Sequence, residues 1–76
     1  MPYIAVKGYP KDEETKKRVA ERILDVFVEE WGCPKEAVSV SIEAIAPEKW
    51  EETVEKPEVL AHPEKMMILA GEKQYK

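Results

Sequence analysis

The period of apolar and polar positions changes twice in the first half of the chain. Before Gly8, Pro2, Ile4 and Val6 fall on one side and Tyr3, Ala5 and Lys7 on the other, which is the two-residue repeat of a strand. Gly8-Tyr9-Pro10-Lys11 then reads as a loop. Apolar residues next recur at Val19, Ala20, Ile23, Leu24, Phe27, Val28 and Trp31, the 3–4 spacing of an amphipathic helix. Asp12 is its natural N-cap, and Glu13 and Glu14 follow in the first turn, where the helix dipole favours negative charge. Gly32 stands where a C′ glycine belongs, and Pro34 prevents continuation. The period returns to two with Val38, Val40, Ile42 and Ala44 against Ser39, Ser41, Glu43 and Ile45, predicting a second half-buried strand.

Strand, long helix, strand is the grammar of a right-handed crossover between parallel strands. The expected class is therefore α/β (α+β), a single βαβ unit in one domain spanning 1–76, with short C-terminal helices. The helix covers one sheet face and leaves Tyr3, Ala5, Lys7, Ser39 and Ser41 on the other. Two strands alone are marginal, so a second copy is expected to extend the sheet to four. Beyond the second strand, Pro47 opens a short helical turn reaching towards Val54, which Pro57 should interrupt. Pro63 should start another short helix through Met66, Met67, Ile68 and Leu69, ending at Gly71. The polar tail from Glu72 to Lys76 should fray.

Composition narrows the function. A chain of 76 residues buries a limited share of its surface and needs support from disulfides, metals or association. Cys33 is the only cysteine and His62 the only histidine, far apart in sequence, so association is left. Twelve basic residues against sixteen acidic give a net charge of −4, which argues against nucleic acid as a partner. Pro2, Lys7 and Pro10 break any apolar leader, and no apolar run approaches membrane-spanning length, so a cytoplasmic protein without membrane contact is expected. The three glycines are too scattered for a phosphate loop, and the residues of a Ser-His-Asp triad are not in place. Cys33 reads as a packed thiol and Met66-Met67 as apolar filler.

Pro2 is what remains. A proline is tolerated at the first position of a strand, so it can be a simple strand edge. If Met1 is removed, its ring nitrogen becomes a free secondary amine, a base that no internal proline supplies. The stretches MPYIAVKGYPK, VSVSIEAIAPEKW and the Trp50 that closes the latter, at this βαβ spacing, resemble the tautomerase superfamily. The closest likeness is to the 4-oxalocrotonate tautomerase branch and, within it, the PptA-like bacterial subgroup. Residues 1 to about 50 carry the resemblance, and the C-terminal third follows it loosely.

The resemblance implies a cofactor-independent keto–enol tautomerase with Pro2 as general base and no metal. An α-amino group titrates near about 8, so the site must lower that value by apolar desolvation and nearby cations. Lys11 takes the place of an arginine just before the helix and would bind the substrate carboxylate without a bidentate fork. Ser39 occupies the position of a second arginine in the founding enzyme, which shifts the expected substrate from a dicarboxylate to a monocarboxylate enol resembling phenylenolpyruvate. Trp50 would wall the site, and Lys7 is a further source of positive charge. The resemblance implies a homo-oligomer, the dimer being favoured over the hexamer. Two other readings stay open: hydration or dehalogenation of a small acid on the same proline, and a non-catalytic dimeric binding module.

Overall fold

Parallel pairing of two short strands organises the first part of the molecule. In the computed structural model, which describes residues 1–76, the chain forms two compact units, Met1–Ala46 and Pro47–Lys76. In the first, β1 (Tyr3–Gly8) pairs in parallel with β2 (Ser39–Ala44), in a register running from Tyr3 opposite Ser39 to Gly8 opposite Ala44. Two further bonds extend the ladder at its ends, from Ser39 N to Pro2 O at 3.1 Å and from Ile45 N to Gly8 O at 2.8 Å. Alternation holds as far as Ile42, with Ile4, Val6, Val40 and Ile42 half-buried and Tyr3, Ala5, Ser39 and Ser41 exposed, but it reverses at the end of β2, where Ala44 is exposed and Ile45, expected on the face of Ser39 and Ser41, is buried.

Helix α1 (Glu13–Val26) connects the strands and lies over β2. Asp12 caps it with both carboxylate oxygens: Oδ2 accepts from Thr15 N at 3.1 Å and Oδ1 from the Thr15 hydroxyl at 2.7 Å. Ala20, Ile23, Leu24 and Phe27 are half-buried, whereas Val19, Val28 and Trp31, which belong to the same sequence periodicity, are exposed within the single chain. The helix ends where expected, with Gly32 left-handed at φ +76°, but its last turn, Phe27–Trp31, is wound as a π-helix. That wider turn accompanies stacking of the Phe27 and Trp31 rings, their centroids 5.3 Å apart. The Cys33 thiol reaches the Phe27 carbonyl at 3.5 Å.

The second unit departs further from the sequence expectations. Helix α2 (Pro47–Trp50) does not stop near Pro57 but continues as a π-wound segment, Glu51–Leu60, with Pro57 inside it. In an α-helix the proline ring clashes with the carbonyl four residues back. An i→i+5 winding moves that carbonyl out of line with the ring, and the chain passes through. Pro63 starts only a single 3₁₀ turn, Pro63–Lys65. The expected helix over 66–69 is instead β3 (Ile68–Leu69), paired antiparallel with β4 (Glu72–Lys73). Ala70 and Gly71, both at positive φ, form the two-residue turn between them. The tail expected to fray is thus partly held, and Gln74 N donates to Met67 O at 2.7 Å.

Only Ile45 and Val54 are buried below a tenth of their surface. Large apolar side chains stand exposed in both units, among them Tyr3, Val26, Trp31, Leu60, Met67 and Ile68.

Candidate active site

The parallel register determines which sequence candidates meet. Pro2 immediately precedes β1, and its carbonyl accepts the hydrogen bond from Ser39 N. Pro2 and Ser39 therefore share one end of the sheet, with the backbone of Pro2 anchored to β2. Met1 is fully exposed beyond it. In the chain with Met1 in place, the Pro2 nitrogen is an amide and carries no basic lone pair.

Lys11 lies at the opposite end. It follows the loop that leaves the far end of β1, a strand of six residues, or about 20 Å. There it helps line a cavity of about 120 Å³ whose apolar wall comes from Val6, Val19 and Ile42. Lys16 and Glu43 also line it. Lys16 is engaged by Glu13 at 2.8 Å, whereas Lys11 makes no ion pair within the chain. One chain thus brings Pro2 and Ser39 together and keeps Lys11 apart from both. Trp50 belongs to the second unit, where its indole N–H donates to Glu55 Oε2 at 3.3 Å.

Two groups at these ends were not singled out from the sequence. The Tyr3 hydroxyl and Ser41 Oγ are hydrogen-bonded at 2.9 Å across the exposed sheet face, beside Ser39. Alternation alone puts Tyr3, Ser39 and Ser41 on one face, and the parallel register, which needs the fold, brings them within reach. Lys16 reads in sequence as one of several helix-surface lysines, and only the position of α1 over the sheet turns it towards the cavity.

The arrangement is a strand that opens on a proline, parallel to a second strand, with a cation at the helix entrance. A family model described as "Tautomerase enzyme" matches residues 2–56, and the chain belongs to this family. Among similar proteins, the Tautomerase PptA of Pectobacterium atrosepticum is 38% identical over 64 residues, covering 82% of this chain and 84% of that protein. The Tautomerase PptA of Pectobacterium carotovorum subsp. carotovorum is 34% identical over the same shares. That of Escherichia coli O127:H6 is 34% identical over 53 residues, covering 67% of this chain and 71% of that protein. The chain is a PptA-like member of the tautomerase superfamily, and its function is of the tautomerase type.

Proposed function

We propose that this protein ketonises a small enol carboxylate resembling phenylenolpyruvate, with Pro2, freed by removal of Met1, as the base. The observation that carries this reading is the placement of Pro2: it opens β1, its carbonyl is fixed by Ser39 N, and the residue before it is fully exposed. The secondary amine takes the enol O–H proton. As the carbonyl forms, the former double-bond carbon takes a proton from the prolinium. No atom is gained or lost, and the amine is regenerated.

The reaction develops negative charge on oxygen and begins with a carboxylate, so it calls for a cation near the base. Within one chain Lys11 is a strand's length away. The outer edge of β1 has no strand beside it in the two-stranded sheet. A second copy pairing there in antiparallel sense would extend the sheet to four strands and bring the far end of its own β1 alongside the first copy's Pro2. The partner's Lys11 would then hold the carboxylate, and the partner's apolar cavity would desolvate the amine, lowering its pKa towards working pH. A homodimer with two such sites is the proposed active form.

Intact mass and an enol-ketonisation assay on phenylenolpyruvate test the reading. The expected result is a chain lacking Met1, with activity falling on the order of 100-fold in Pro2→Ala. Retained Met1, or activity indifferent to Pro2, would refute it. Mixing tests the shared site. Pro2→Ala and Lys11→Ala chains, each impaired alone, should recover about a quarter of wild-type activity after subunit exchange, because half the dimers then contain one intact site of two. A site housed within one chain would recover nothing.

A further inference from the structure

The cavity at the far end of β1 carries two cations, and the ketonisation proposed above uses only Lys11. Helix α1 reaches the cavity with its first turns, through Thr15, Lys16 and Val19. The Thr15 hydroxyl is already committed: it donates to Asp12 Oδ1 at 2.7 Å and accepts from Arg18 at 3.3 Å. Lys16 is different. Its Nζ lies 2.8 Å from Glu13 Oε1, and the two side chains are unequally placed, Lys16 being 28% exposed and Glu13 76%. The lysine stem is covered where it borders the apolar wall of Val6, Val19 and Ile42, which holds the amine at the rim. The Glu13 carboxylate stands in water and has no other partner in the chain. An exposed ion pair between neighbouring turns is weak, so this carboxylate can be exchanged for another.

A bound carboxylate has two oxygens to satisfy. An arginine meets both from one planar fork, whereas a lysine offers a single point of charge. Lys11 alone would leave one oxygen to water. Two lysines on one rim supply the second donor from a separate side chain. Behind them the cavity, about 120 Å³ and mostly apolar, approaches the ~150 Å³ of a dry cavity that accepts benzene. The other acid on its lining, Glu43, stands opposite Lys7 in the strand register, an opposite charge across the pair.

We infer that Lys16 is the second cation of the carboxylate site and that Glu13 is its resident competitor. A small carboxylate with an apolar tail displaces the Glu13 carboxylate, places one oxygen on Lys16 and the other on Lys11, and buries its tail against Val6, Val19 and Ile42. The inference rests on the reading of this cavity as the place of the substrate carboxylate, and adds to it the residue that makes up for the missing arginine fork and the residue that limits affinity.

Steady-state kinetics on phenylenolpyruvate test it. Lys16→Met, which keeps an apolar stem, should raise KM about 10-fold with kcat nearly unchanged, and Lys16→Arg should restore a low KM. Glu13→Gln should lower KM about 3-fold, a gain that a misfolded chain could not give. A helix-surface ion pair without a part in binding would instead cost a little Tm in either variant and move no KM. Binding of hydrocinnamate, which has the apolar tail and the carboxylate but no enol, is followed by NMR titration. Its Kd should rise about 10-fold in Lys16→Met and fall about 3-fold in Glu13→Gln, while the uncharged hydrocinnamamide should respond to neither. In the Pro2→Ala background the probe should show the same dependence on both residues, so failure of the proline as base and failure of this site are read separately. A folded Lys16→Met protein with unchanged KM and Kd, weaker binding in Glu13→Gln, or an amide that responds as the carboxylate does would overturn the inference.

Discussion

Asp12 fixes where α1 begins, and its protonation state is part of how it does so. The Thr15 hydroxyl, and then the Thr15 amide, hydrogen-bond its carboxylate and hold its pKa below the usual aspartate range. The unfolded chain therefore takes up the proton first on acidification. The cap's contribution is complete above the ordinary aspartate pKa and is lost as pH falls through the lower folded value. Asp12→Asn should keep the cap while flattening this acid dependence, and Asp12→Ala should lower Tm by several degrees at neutral pH. Thermal melts by circular dichroism between pH 2 and 7 compare them (about 2 to 7 spans the titration). Ala70 presents the opposite situation. It sits at φ +50°, where a side chain crowds its own carbonyl. Ala70→Gly should raise stability by up to about 1 kcal/mol, the relief of strain being partly offset by glycine's greater freedom in the unfolded chain. Gly32→Ala, at φ +76° in open space, should lose about 1 kcal/mol for the same backbone reason.

At the level of elements, legibility followed the range of the interactions involved. β1, α1 and β2 could be read because their determinants are local: period-two alternation, the 3–4 apolar spacing, and Asp12 and Gly32 as boundaries. The wide last turn at Phe27–Trp31 could not, because ring stacking there depends on the surroundings. Pro57 was expected to end a helix because the rule assumes α-geometry, and the chain escapes it by changing winding. The C-terminal hairpin was hidden because Pro63 and the apolar run after it imitate a helix start. Its only local sign is Gly71 beside a residue, Ala70, that rarely adopts a positive φ. The candidate site divides in the same way. Pro2 and Ser39 could each be placed at the opening of a predicted strand, but their meeting and the distance of Lys11 from them emerge only from the parallel register and the length of β1. Ile45 extends the ladder and is 6% exposed, so Ile45→Ala should cost about 2–4 kcal/mol, measurable by urea denaturation.

For the whole molecule, the balance of buried and exposed apolar surface sets the expectations. No side chain is completely buried, while Trp31 is 70% exposed and Met67 66%. A chain that covers its apolar groups by self-association is stabilised by its own concentration. The Tm should therefore rise as protein concentration is raised 100-fold. A Tm independent of concentration would mean that the single chain is self-sufficient.

The register of β1 and β2 also has a kinetic meaning. Tyr3 pairs with Ser39, and every later pair keeps the same separation of 36 residues along the chain. A hairpin can close from its turn one short step at a time, but this ladder has no short first step. Each rung must meet the full entropy of closing the same loop. Once one rung has formed, the others follow at little further entropic cost, so the sheet should form as a unit after α1 has shortened the distance between its strands. A mutation that weakens α1, such as Asp12→Ala, should therefore slow folding in stopped-flow experiments. One confined to the C-terminal hairpin, such as Ala70→Gly, should leave the rate at which this sheet forms nearly unchanged.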